Sequence, residues 1–333
     1  MSRVVVTGGA GYIGSHAVRA LVDAGHAVAV LDDLSAGHAE AVPAGVPLVR
    51  AAIHDVAAVR RLLVDHRADA VMHFAAWLAV GESVHKPLDY YQNNVTGTLG
   101  VLEAMRDAGV TRFVFSSTCA VYGEPERVPI VETLAKQPIN AYGETKLTIE
   151  RALPHLARAY GLQWVALRYF NAAGAHPSGT IGEDHDPEIH LIPLAIRAAT
   201  GGTPLKVFGE DYPTPDGTCL RDYIHVCDLA EAHLCALAAL EEGGRSAAYN
   251  IGTGTPQSVK AVIDTVSRVV GAPVAWAAAP RRAGDPAMLY AASDLAQREL
   301  NWTPRYAELE IIVRHAWQWH STHPRGYRVS DTR

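Results

Sequence analysis

The 333-residue chain contains no block of lysine or arginine and carries a net charge of −6. Nucleic acid and anionic membrane surfaces are poor partners for it, because both require concentrated positive charge. Its four cysteines (Cys119, Cys219, Cys227 and Cys235) show no C-x-x-C spacing. They fit a reduced, cytosolic chain that uses them as small core residues. No apolar run approaches the roughly 20 residues of a membrane span. The opening "MSRVVVTGGAGYIG" shows a strand from residue 3 or 4 instead of a charged segment followed by an apolar one, so a cytoplasmic location is expected. Repeats, low-complexity tracts and disordered linkers are also missing. What remains is ordinary globular composition, 49% hydrophobic and 19% charged, enough for two lobes.

Val4, Val5 and Val6 form a short buried strand, and "TGGAGYIG" follows it directly. Gly8, Gly11 and Gly14 are spaced G-x-x-G-x-x-G between that strand and a helix marked by Ala17, Leu21 and Val22. In this context the glycines let the backbone approach a pyrophosphate, whose charge is met by the helix N-terminus. The next strand ends in Asp32, 18 residues after Gly14. A carboxylate there accepts from a ribose diol and repels a 2′-phosphate. No Arg or Lys lies between Asp32 and Arg50 to hold such a phosphate, so NAD is expected rather than NADP.

Strand-like segments fall near 28–32, 46–50, 69–74, 111–116 and 163–169, and helical ones near 12–24, 55–65, 88–108 and 142–160. This alternation predicts an α/β fold with a doubly wound parallel sheet. Residues 172–190, rich in Gly, Pro, Asp, Glu and His, read as a long functional loop. Beyond it come a helix at 191–200, a strand at 205–208, a helix at 226–241 and a strand at 247–251. Helices, short strands and turns mix across 257–320.

"YGETK" places Tyr142 and Lys146 one helical turn apart at the start of a helix. A neighbouring ammonium stabilises a phenolate and lowers a pKa that is otherwise about 10, which would make Tyr142 a general base. A tyrosine and a lysine on a solvated helix face have the same spacing, so the pair alone does not choose.

"TGGAGYIG", "FSSTCAVYG", "YGETK", "RYFNAAGAHPSG" and "DGTCLRDYIHVCDLAEAH" occur in that order. Together they resemble the extended short-chain dehydrogenase/reductase family, most closely its UDP-glucose 4-epimerase branch, over nearly the whole chain. The resemblance implies a Rossmann domain at 1–171 with a return segment at 222–253. It also implies a smaller mixed α/β lobe for the UDP-sugar at 172–221 and 254–333. Thr118, Tyr142 and Lys146 take the catalytic positions, and Lys146 also reaches the nicotinamide ribose. Around NAD, besides Gly8, Gly11, Gly14 and Asp32, fall Tyr12, Ile13, Asp33, Ile53, Phe74, Ala75, Ala76, Asn93, Ser116 and Phe170. Asn171, Leu191, Lys206, Val207, Phe208, Arg221, Arg282 and Asp285 fall around the UDP-sugar. Two arginines can neutralise a diphosphate, Phe208 can pack on uracil, and Asp285 can accept from ribose hydroxyls. The implied reaction passes hydride from C4 to NAD and back to the other face of the sugar. The family further implies a homodimer through helices near 88–108 and 142–160.

The chain departs from its relatives at four positions. Ala52 replaces an adenine-contacting aspartate, Leu78 a lysine, and His190 an asparagine. Leu289 stands at a position that gates sugar size, which leaves N-acetylhexosamine or pentose substrates open. Dehydratases need an Asp-Glu pair after the catalytic threonine and decarboxylases commonly have a glutamate there, whereas Cys119 and Ala120 follow here. A silent NAD-binding regulator would usually lack Tyr142 or Lys146. His185 and His190, in "EDHDPEIH", read as a solvated loop with no third metal partner, so no metal is expected.

Overall fold

The computed structural model describes residues 1–282 and 285–327; the parts of the expected second lobe at 283–284 and 328–333 lie outside them. Through the first half, strands and helices alternate: β1 (Arg3–Thr7), α1 (Tyr12–Asp23), β2 (Ala27–Asp32), β3 (Leu48–Arg50), α2 (Val56–His66) and β4 (Ala70–His73). Next come α3 (Val80–His85), α4 (Pro87–Tyr90), a π turn (Tyr91–Thr96), α5 (Gly97–Ala108), β5 (Arg112–Thr118), α6 (Ala141–Tyr160) and β6 (Gln163–Tyr169). The second half holds β7 (Asn171–Ala173), α7 (Leu191–Ala199), β8 (Leu205–Phe208), β9 (Leu220–Arg221), β10 (Tyr223–His225), α8 (Val226–Glu241) and β11 (Ala247–Ile251). It closes with β12 (Gln257–Ser258), α9 (Val259–Val270), β13 (Trp276–Ala279), β14 (Met288–Leu289), α10 (Asp294–Glu299) and α11 (Leu309–Thr322).

Seven strands form one parallel sheet in the order β11-β6-β5-β4-β1-β2-β3. Both faces are covered, which is why β1 is a run of valines: Val4 and Val6 join the core of α1 and α8, Val5 that of α2 and α5. The strand order reverses between β1 and β4. That is the crevice where doubly wound sheets bind ligands, outside the carboxyl ends of the strands.

A separate core joins Ile192 and Ile196 of α7, Val207 of β8, Val262 and Val266 of α9, and Ile312 and Val313 of α11. Two small sheets attach to this part, β8 with β13 and β12-β9-β14.

The expected helix at 88–108 runs unbroken through α4, the π turn and α5, with right-handed helical dihedrals at each junction. The π turn at Tyr91–Thr96 inserts between α4 and α5 and shifts the phase of the side chains that follow. Among the described residues, no helix is long and apolar enough to cross a membrane.

Candidate active site

The glycine turn is built for close approach. Gly8 has φ +74°, and a Cβ on it would lie 2.5 Å from the Ala75 nitrogen. A Cβ on Gly14 would lie 2.0 Å from the Gly8 carbonyl oxygen. Gly11 caps α1 without a side-chain hydrogen bond, so the cap residue itself leaves the first helix amides unoccupied. At the end of β2, the Asp32 carboxylate accepts from the Ala10 amide at 3.0 Å and the Leu34 amide at 2.9 Å. Burial raises its pKa and the two amides lower it. Each oxygen keeps a lone pair for a further donor. Side-chain-free backbone before a helix and an acceptor at the next strand end fit a dinucleotide with a free ribose diol.

The other residues expected around NAD are variously disposed. Phe74 and Ala75 follow β4, and both their amides donate to the Thr7 carbonyl, at 2.8 and 3.1 Å. Ala76 and Ile13 are half-buried, and Ile53 is buried where a Cβ on Gly97 would meet it. Asp33 is exposed and its carboxylate accepts from Ser35. The Tyr12 hydroxyl donates to the Gly174 carbonyl at 2.7 Å. Asn93 donates to the Asn94 side chain at 3.0 Å. Phe170 packs in a small cluster with Tyr122 and Leu147.

Thr118 ends β5, and Tyr142 and Lys146 lie in the first turns of α6, capped by the Asn140 side chain on the Gly143 amide at 2.8 Å. All three are buried, with exposures of 6%, 7% and 3%. The solvated-face reading of the pair is therefore excluded. The Thr118 hydroxyl favours the ionised form of the Tyr142 phenol, and it accepts from the Ala120 amide at 3.1 Å. Lys146 Nζ donates to the Ser116 carbonyl at 2.9 Å and lies 4.9 Å from the Phe115 ring centre. The Ser116 hydroxyl donates to Tyr169 at 3.0 Å.

Burial within the protein works against a phenolate at Tyr142. It raises the Tyr142 pKa well above the usual phenol value, the Tyr169 hydroxyl adds to the rise, and the Thr118 hydroxyl opposes it. Burial also lowers Lys146 to about 7. The expected lowering by Lys146 is corrected: its ammonium is held by the Ser116 carbonyl and is not among the main influences on the phenol.

Of the residues expected to hold the UDP-sugar, the structure pairs some with one another. Arg221 pairs with Asp285, and the Arg282 guanidinium lies 3.9 Å from the Phe208 ring centre. Leu289 stands opposite Arg221 where β14 pairs with β9. Asn171 Nδ2 donates to the Asp222 carbonyl at 3.0 Å. Leu191 opens α7, and Lys206 is exposed. Val207 departs from the set: its side chain is buried in the lobe core, so only its backbone is offered to a ligand.

Ala52 offers no polar side chain, and Leu78 is exposed. His190 turns its Nδ1 to a Glu183 oxygen at 2.7 Å. The solvated reading of 183–190 is corrected as well. Glu183 and Glu188 are 3% and 9% exposed, and they supply the third and fourth partners that the histidines seemed to lack.

Two positioning residues escape a reading of motifs. Buried Asn94 accepts from the Trp77 amide at 2.8 Å, donates to the Trp77 carbonyl at 3.0 Å and donates to Thr145 at 3.2 Å. It thereby ties the loop after β4 to α6. Buried Asp222 accepts from the Thr253 amide and hydroxyl, the Gly254 amide and the Ala291 amide, all within 3.1 Å. The available signal for Asp222 was a carboxylate directly after Arg221, between the short strands β9 and β10.

A dinucleotide turn and a buried proton-transfer group at the same edge of a parallel sheet define a nicotinamide-dependent enzyme of the doubly wound α/β class. The chain belongs to the NAD dependent epimerase/dehydratase family, which matches residues 4–252. It is 51% identical to the UDP-glucose 4-epimerase of Halalkalibacterium halodurans, over 98% of each chain. The UDP-glucose 4-epimerase of Brucella ovis, solved in complex with NAD, superposes with a TM-score of 0.93 at 48% identity, covering 96% of this chain and 98% of that one. The enzyme of Stenotrophomonas maltophila, solved with NAD and formylated UDP-arabinopyranose, gives 0.94 at 41% identity, covering 98% and 99%.

Proposed function

We propose that this enzyme inverts C4 of a UDP-hexose, interconverting UDP-galactose and UDP-glucose, with Tyr142 as the proton-transfer group. The observation that carries the reading is the burial of Thr118, Tyr142 and Lys146 together, followed by Cys119 and Ala120, which have no carboxylate for elimination or decarboxylation. When bound, NAD supplies a reversible hydride acceptor at C4 and, while oxidised, a positive charge. Gly8, Gly11, Gly14 and Asp32 would hold it.

Tyr142 takes the O4 proton, directly or through the Thr118 hydroxyl, as C4 is oxidised, and returns it when C4 is reduced. Lys146, held by the Ser116 carbonyl, would orient the nicotinamide ribose, and the positive charge near the phenol would come from the oxidised nicotinamide. The hexose must turn between the two steps, so binding energy belongs on the nucleotide. Arg221, Arg282, Phe208, Asp285, Asn171, Leu191 and the backbone of Lys206–Val207 are the proposed anchor. Leu289, opposite Arg221, would set the room available to the sugar.

The test is conversion of UDP-galactose by purified protein with no cofactor added. UDP-glucose is the expected product. Tyr142→Phe is expected to keep NAD and UDP-sugar while losing about 10²–10⁴-fold in kcat, the usual worth of a general acid–base group. A wild-type rate in that variant would remove Tyr142 from its role.

A homodimer is part of the same proposal. Leu88, Tyr91 and Leu99, on α4, the π turn and α5, are exposed, Leu88 by 78%, and a second copy would cover them.

A further inference from the structure

Glu183, His185, Glu188 and His190 present one ligand atom each, all within 4.8 Å of one another. They lie on the loop that leads into α7 and beside Tyr12, whose ring meets His185 edge-on at 6.1 Å between centres. We infer that this cluster is a structural site for a divalent transition-metal ion, with Zn²⁺ the best match, bound by two carboxylates and two imidazole Nδ1 atoms.

The donor spacing suits such an ion. His190 Nδ1 lies 2.7 Å from Glu183 Oε1 and 3.1 Å from Glu188 Oε1. His185 Nδ1 lies 3.2 Å from Glu183 Oε1 and 3.9 Å from Glu188 Oε2. Donors around a tetrahedral ion with bonds of about 2.0–2.2 Å stand roughly 3.3–3.5 Å apart, within this spread. Several of these short approaches are not hydrogen bonds. Glu183 Oε1, His185 Nδ1 and Glu188 Oε2 are fully buried without a hydrogen-bond partner. Their polar atoms share a common space instead of pairing along N–H directions.

Charge favours the same conclusion. Glu183 and Glu188, 3% and 9% exposed, bring two carboxylates into one cluster, which is costly without a compensating cation. A divalent ion with both imidazoles neutral balances the two carboxylates. The Glu188 carboxylate is further fixed by the amides of Ile189 and His190, both at 2.8 Å. With four protein donors the site is closed, as structural zinc sites are. It would tie the segment before α7 into one piece next to the glycine turn.

The test reads metal without turnover. Tag-free holoenzyme, NAD retained, is treated with a chelator and titrated with Zn²⁺ alone, and in parallel with Mn²⁺ alone. Metal content by mass spectrometry and the melting temperature are the readouts. The expected result is about one equivalent per chain of at least one ion, with a higher melting temperature. Affinity should fall at least tenfold in His185→Gln and in Glu188→Gln, with NAD content unchanged. Should either variant fail to fold, Co²⁺ in the wild type serves instead. Visible ligand-field bands that Zn²⁺ abolishes support the site, and their absence counts against it. Negligible binding of both ions, or one equivalent retained by both folded variants, overturns the assignment.

Discussion

Tyr142 and Lys146 sit one turn apart on α6, yet burial moves their protons in opposite directions. The phenol holds its proton harder, and the ammonium gives its own up near pH 7. The second shift has a consequence for stability. The folded pKa of Lys146, about 7, lies below the unfolded value of about 10.4. Below pH 7 both states carry the proton and the burial cost is full. As pH rises toward 10.4 the folded state sheds the proton first, so this group makes the protein more stable with rising pH. Lys146→Met should therefore gain most over wild type below pH 7, with the difference shrinking by on the order of a few kcal/mol up to pH 10. Denaturant unfolding of both proteins at pH 6 and pH 9.5 checks this. A constant difference would place the ammonium in a better solvated site.

On the scale of elements, one face of α6 carries Tyr142, Lys146 and Glu150 at successive turns. Glu150 anchors that face to the sheet. It accepts from Arg168 of β6 at 3.0 and 3.1 Å through Nε and from Ser117 at 2.6 Å, while Arg168 also donates to the Tyr122 hydroxyl at 2.8 Å. Glu150→Ala strands a buried guanidinium, and a loss of about 3–5 kcal/mol in urea unfolding is expected. A loss under about 1 kcal/mol would mean that water replaces the carboxylate.

This scale also shows what the sequence could convey. β1, the glycine turn and α1 are legible because valine runs, glycines and a 3.6-residue period are local features. The π turn is not legible, since one added residue leaves the apolar content of 88–108 unchanged and alters only its phase. Glu183, Glu188 and Asp222 look like loop or surface carboxylates. Their burial depends on partners far along the chain: Asp222 meets Thr253 and Ala291, 31 and 69 positions away. The Tyr142–Lys146 pair was legible as a pair, but the effect of burial on its protons required the packed environment.

For the whole molecule, the division of labour follows the sheet. Its switch point beside β1 presents the dinucleotide turn, and β5 brings Thr118 to the same edge. Arg221, paired with Asp285, and Arg282, over the Phe208 ring, are the cations that the proposed diphosphate site would use in a chain of net charge −6. Exposed Leu88, Tyr91 and Leu99 predict association, and light scattering should give twice the chain mass. A monomer at micromolar concentration would reject that surface as an interface.

The central claim is that a single hydride leaves C4 and returns to it while Tyr142 carries only the proton. UDP-galactose labelled with deuterium at C4, converted in ordinary water, tests it most directly by NMR of the product. UDP-glucose that keeps its deuterium at C4 is the predicted result. Replacement of that deuterium by solvent hydrogen would contradict the account.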